Sequence, residues 1–173
     1  VALMELYWQP HEGVSPPPAE VLRRYQALEA QGYDNADLRQ SYARYLVLKA
    51  EKRDPEKARA LLLVDAQKDD AFSQFQLGVW LLEGRFGAKD PKQGMQWVDK
   101  AMAKDQNYRE AWAHHMFYFD RSPEARRRAL SIEHELVDAK LDSARNNLAW
   151  WLCTSEDATV RSVATLALAQ VKP

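Results

Sequence analysis

The segment Asp54-Pro55-Glu56-Lys57-Ala58 returns 36 residues later as Asp90-Pro91-Lys92-Gln93-Gly94, with the acid, the proline and the small residue in the same places. Each copy is a helix start. The Asp carboxylate can accept from the first orphaned amides, and Pro, which has no N–H, suits the first helical position. Upstream, Ala36-x5-Tyr42-Ala43-x2-Leu46 returns 35 residues on as Ala71-x5-Leu77-Gly78-x2-Leu81. Two helices per 35 to 36 residues predict antiparallel helix hairpins that stack, because one hairpin cannot bury its own apolar stripe. Small residues follow bulky ones at Ala43, Gly78 and Ala149, where a neighbouring helix could approach closely. A glycine inside a helix costs about 1 kcal/mol relative to alanine, so Gly78 predicts such a crossing.

Periodicity and cap signals extend this into an all-α chain of about nine short helices. They start at Pro18, near Asn35, at Asp54-Pro55, at Ala71, at Asp90-Pro91, near Tyr108, at Ser122-Pro123, at Asp142 or Ser143, and at Asp157. Gly32 and the Gly84 to Gly87 loop act as stops, and the sixth helix is expected to reach Asp120. No segment after Pro18 pairs strand-like alternation with hairpin chemistry. Residues 1–16 contain Pro10, Gly13 and Pro16, which predict an extended N-terminal arm; its Leu3, Leu6, Tyr7 and Trp8 point to packing on the first helices or on an upstream segment, with a disordered tail as the alternative. The remainder, 17–173, is expected to be a single helical domain. A start at Val1 instead of Met suggests a processed or truncated end.

The run from Ala71 to Asp90 resembles the first half of a SEL-one-like repeat, a relative of the tetratricopeptide repeat with an A-x5-LG-x5-G-x2-G-x2-D pattern. The likeness continues through Trp97, Lys100 and Ala101, where that family has W-x2-KA, so 71–105 is the most recognisable unit. Residues 36–70 lack the glycine loop and are closer to an ordinary tetratricopeptide repeat. The hairpin from Ala111 to about Asp138 is degenerate, with Phe117-Tyr118 in place of Leu-Gly. Asn146-Asn147-Leu148-Ala149-Trp150-Trp151-Leu152 resembles the N-x-LAW tetratricopeptide type found at the end of bacterial arrays. The resemblance implies a right-handed superhelix of helix pairs, an α-solenoid whose concave face binds a protein or peptide. It brings no catalytic residues.

The other residue patterns exclude more than they assign. A net charge of -1 with 46% hydrophobic residues argues against disorder, and the absence of a basic surplus argues against nucleic acid as a partner. Apolar runs fall far short of the ~20 residues a membrane helix needs, so no direct membrane insertion is expected. The four histidines, His11, His114, His115 and His134, show no zinc-like spacing with one another or with Cys153, so no metal, cofactor or catalytic residue is assigned. Cys153, beside Trp150, Trp151 and Leu152, is expected to be an inert core residue. The Gly84-x2-Gly87 loop lacks the strand and the Gly-Lys-Ser/Thr of a phosphate cradle, and Arg121, Arg126, Arg127 and Arg128 spread around a helix as a solvated surface.

Aromatic residues carry the functional signal. On the sixth helix Trp112, His115, Met116 and Phe119 form one stripe, with His114, Phe117 and Tyr118 off it, so this helix is buried on both sides or open to a ligand on one. Tyr42, Trp80, His115 and Tyr118 are the candidate partner contacts. The expected function is a non-enzymatic scaffold or adaptor. Its alternatives are a structural or assembly subunit of a bacterial envelope complex and an immunity or inhibitor protein that masks another protein's active site. The residues leave the compartment open, with the periplasm or envelope favoured if an upstream signal or anchor was removed.

Overall fold

The structure, a computed structural model, describes residues 18–48, 50, 53–120 and 122–154. The N-terminal arm and the ninth helix fall outside these residues. The regular structure described is entirely helical, and the chain divides into two compact units, one up to Ala101 and one from Met102.

The first unit holds α1 (Pro18–Ala30), α2 (Ala36–Leu48), α3 (Pro55–Gln67), α4 (Ala71–Glu83) and most of α5 (Pro91–Lys104). The second holds α6 (Gln106–His115), a π-helical turn π1 (Met116–Asp120), α7 (Pro123–Asp138) and α8 (Asp142–Thr154). The starts expected at Asp54, Asp90 and Ser122 are real caps. Asp54 accepts from the Lys57 amide at 3.0 Å, Asp90 from Gln93 at 2.9 Å and Ser122 from Ala125 at 3.1 Å. Asp70 and Asp105 act in the same way, accepting from the amides of Ser73 at 2.7 Å and Asn107 at 2.9 Å. Short helices thus begin at points dictated by one side chain each.

In the first unit α4 and α5 meet backbone to backbone. A Cβ on Gly78 would lie 2.7 Å from the Gly94 carbonyl oxygen and 2.9 Å from the Val98 nitrogen. One on Gly94 would lie 2.9 Å from the Gly78 oxygen and 2.7 Å from Leu82 Cγ. The crossing expected at Gly78 is therefore present, and its partner is the glycine that replaces Ala58 in the second copy of the cap motif. Around it Leu77, Leu81, Val98 and Ala101 are buried, and Lys100 Nζ lies 4.2 Å over the Trp97 ring. Gly84 ends α4 in the left-handed conformation, φ 75°, its amide reaching back to Trp80 and Leu81. Phe86 from the loop then meets Trp80 edge-on at 5.7 Å.

Charge is buried between α2 and α3. Arg39, 8% exposed, clasps Asp65, 2% exposed, through Nε at 2.9 Å and Nη2 at 2.5 Å, and its third nitrogen bonds Asp34. The two-point bond to Asp65 outweighs burial and raises the Arg39 pKa. Gln40 reaches across to Asp70 and Ser73, and Gln74 donates to the Ala66 carbonyl.

In the second unit Trp151 is the centre, with no exposed surface. Phe117 stacks on it at 4.1 Å and 5°, and Tyr118 meets it edge-on. Both neighbours reach one indole because π1 has more residues per turn than an α-helix, which brings consecutive side chains closer in angle. Two expectations fail here. Ala149 is exposed and makes no close crossing, and Cys153 is exposed instead of packed, because Trp151 and Leu152 supply the buried face of α8. Arg126 lies 5.9 Å over the Phe117 ring while Arg127 and Arg128 are exposed, so these three arginines spread around α7.

Two stability outcomes follow from the first unit. Gly78→Leu should cost about 1–3 kcal/mol by overpacking, and Gly78→Ala should cost more than Gly94→Ala, since a Cβ at 78 meets two backbone atoms, the Gly94 oxygen and the Val98 nitrogen, whereas one at 94 meets a single backbone atom, the Gly78 oxygen, and the Leu82 side chain, which can rotate away. Urea denaturation checks the order, and an unchanged midpoint for Gly78→Leu would contradict the crossing. Arg39→Met should lose about 3–5 kcal/mol by stranding Asp65, with part of the loss recovered in the Arg39→Met/Asp65→Leu double variant.

Candidate functional site

The four candidate contacts divide between the units and between two environments. Tyr42 is 2% exposed and stacks on Tyr25 at 3.6 Å, with Lys57 Nζ 5.2 Å over its ring. Burial and neighbouring acidic groups push its hydroxyl up to about 12. Trp80 is 4% exposed. Both are core residues of the first unit and offer almost no surface. Their sequence signal, a large aromatic at helical spacing, is shared by core and binding residues alike.

His115 and Tyr118 lie on the α6–π1 segment of the second unit, and both have accessible surface. His115 is sandwiched in a ladder, 5.1 Å from the Trp112 ring and 5.3 Å from the Phe119 ring, nearly parallel to each. Phe119 is 70% exposed at the open end of that ladder. Tyr118 Oη accepts a hydrogen bond from Trp151 Nε1 at 3.0 Å, which holds the phenol in place while 42% of the residue stays exposed. Trp150 on α8 is 63% exposed. The segment expected to be buried on both sides or open on one is thus buried through Trp112, Met116 and Phe117 and open through Tyr118 and Phe119.

Beside this segment lies a polar cluster that the histidine spacing did not reveal. Glu110 and His114 stand one turn apart on α6 and face Glu133 on α7. One donor atom from each lies within 4.8 Å of the other two. Glu133 has no exposed surface, neither of its carboxylate oxygens accepts a hydrogen bond, and its Oε1 is 3.8 Å from His114 Nε2, which also lacks a hydrogen-bond partner. Burial, reinforced by the Glu110 charge and partly offset by the Asn147 amide, pushes the Glu133 carboxyl up to about 8. Glu110 is held from α8, by Ser143 Oγ at 3.0 Å and Asn147 Nδ2 at 2.5 Å. His114 packs 5.2 Å from the Trp151 ring and 5.8 Å from Tyr118. The signal available in the sequence was Glu110-x3-His114, an i, i+4 pair. The third member comes from another helix at no characteristic spacing.

No family model matches the sequence, and no curated protein matches it. Among solved structures the chain is similar to a protective antigen present in uropathogenic Escherichia coli strains, which displays a SEL-one-like repeat fold. The identity is 20% and the TM-score 0.55, over 99% of this chain and 38% of that one. The likeness shows the fold: helical hairpin repeats of the SEL-one-like and tetratricopeptide kind.

The raised Glu133 pKa sets a sign for pH dependence. The unfolded carboxyl loses its proton near 4.5, whereas the folded one keeps it until about 8. The group's contribution is therefore full below pH 4.5 and is lost as pH rises towards 8, with a slope of at most about 1.4 kcal/mol per pH unit. In buffer containing EDTA, Glu133→Gln should flatten that slope and leave the variant more stable than the parent at pH 8. Urea titrations at pH 5, 6.5 and 8 read both effects.

Proposed function

We propose that the chain is a non-enzymatic interaction module that binds a protein or peptide through the aromatic surface of α6 and π1, with His115 and Tyr118 as contacts and Phe119 as the anchor. The observation that carries this is the 70% exposure of Phe119 at the end of a ladder already immobilised by Trp112 and His115. A rigid exposed aromatic loses little conformational entropy on binding, which is why such residues supply much of the affinity at interfaces. The absence of a basic surplus disfavours a polyanion as the occupant, and the ladder suits a partner that contributes an apolar side chain. Among the described residues no helix is long and apolar enough to cross a membrane, so these exposed aromatics do not belong to such a span. Tyr42 and Trp80, core residues of the other unit, are not contacts in this reading.

A displayed peptide library selected on the immobilised chain provides a defined probe. Selected peptides should carry an aromatic or aliphatic anchor, and Phe119→Ser should weaken the best of them by more than tenfold, with helicity unchanged by circular dichroism. Equal binding by parent and Phe119→Ser would overturn the assignment of the surface, and reproducible turnover of a small molecule would overturn the non-enzymatic reading.

A further inference from the structure

We propose that Glu110, His114 and Glu133 bind one divalent transition-metal ion of the zinc class, leaving one coordination position for water or an external donor. This goes beyond the interaction reading and does not rest on it. The carrying observation is that two buried donor atoms are orphaned and face each other. More than nine in ten buried polar groups in folded proteins have a hydrogen-bond partner, yet both Glu133 oxygens and His114 Nε2 lack one, with Glu133 Oε1 and His114 Nε2 3.8 Å apart. That distance is too long for a direct hydrogen bond. It is close to the separation of about 3.4 Å between donors that share a tetrahedral ion at bond lengths of about 2.0–2.2 Å.

Charge supports the same assignment. A fully buried carboxylate such as Glu133 next to a second one is unfavourable unless it holds a proton or a cation joins the two, and a divalent ion with a neutral imidazole makes the group neutral. The donor set favours the zinc class. Calcium takes six to eight oxygens and magnesium keeps a near-octahedral oxygen shell, whereas one imidazole nitrogen with two carboxylates suits a borderline ion. The site is also supported from behind. Ser143 and Asn147 on α8 hold the Glu110 carboxylate, as outer partners orient metal-bound carboxylates elsewhere. Trp151 and Tyr118 wall the imidazole. Glu110, only partly buried, stands on the solvent side of the cluster, with all three donor atoms within 4.8 Å of one another. The ion would tie α6 to α7 directly and to α8 through Glu110, stabilising the second unit without any catalytic step.

The test uses the full chain, freed of metal by EDTA and dialysed, then titrated with Zn²⁺ by calorimetry and followed by thermal melting. Co²⁺ serves as a second probe through its visible absorption. One equivalent should bind, the melting temperature should rise with free Zn²⁺, and Co²⁺ should give the intense bands of a four-coordinate site. Glu133→Gln and His114→Gln should each weaken binding at least tenfold with helicity retained, while His134→Ala, whose ring pairs with Asp138 on the surface of α7, should bind like the parent. The proposal is overturned if no saturable binding is seen, if Glu133→Gln and His114→Gln bind as the parent does, or if binding is lost in His134→Ala alone. Peptide binding through Phe119 is read in a separate assay, so failure of either idea leaves the other standing.

Discussion

The approach of α4 to α5 through Gly78 and Gly94 sets the packing of the first unit. Each glycine carbonyl occupies the space where the other residue's Cβ would sit. A single methyl group would push the helices apart, and close-packed interiors have no slack to absorb the shift. With the backbones in contact, Leu77, Leu81, Val98 and Ala101 fall into a shared buried layer, and the short Gly84 loop can turn the chain back with Phe86 over Trp80. The helix penalty of the two glycines is offset by the contact they allow. At the corresponding places of the preceding pair α2 and α3 carry Ala43 and Ala58, both without exposed surface, and a buried Arg39–Asp65 ion pair also joins those two helices.

The two units differ in how they treat buried charge. In the first, each charge between α2 and α3 is matched. Arg39 spends its planar fork on Asp65 and Asp34, and Gln40 finds Asp70 and Ser73. Such a completed network favours one register of α2 on α3. In the second, the aromatic packing around Trp151 is complete but the carboxylate next to it is not. Glu133 sits against His114 and Glu110, and neither of its oxygens accepts a well-formed hydrogen bond. Proteins that obey local rules elsewhere tend to depart from them where they bind something. The π-helical turn adjoins the same place, a distortion often associated with function, and it is what carries Phe117 and Tyr118 to one indole while leaving Phe119 outside.

Much of the architecture was legible before any coordinates. Asp54, Asp90 and Ser122 open helices because a cap is a contact over three residues, which sequence shows directly. Gly78 pointed to a close crossing because its cost within a helix requires a compensating contact. Aromatics were less legible. Tyr42 and Trp80 share residue type and spacing with Tyr118 and Phe119, and only burial separates core from surface. Ala149 and Cys153 carry the same ambiguity, since α8 turns Trp151 and Leu152 inward and leaves those two outside.

Caps, periodicity and repeated small residues are short-range properties written along the chain, and they suffice to make it helical, to fix where its helices start and to bring them as hairpins. Tertiary structure alone decided which aromatics are open and that Glu133 meets His114 and Glu110. Those outcomes depend on the rotation of one helix against another, which brings residues 110, 114 and 133 together and which no spacing along the chain encodes.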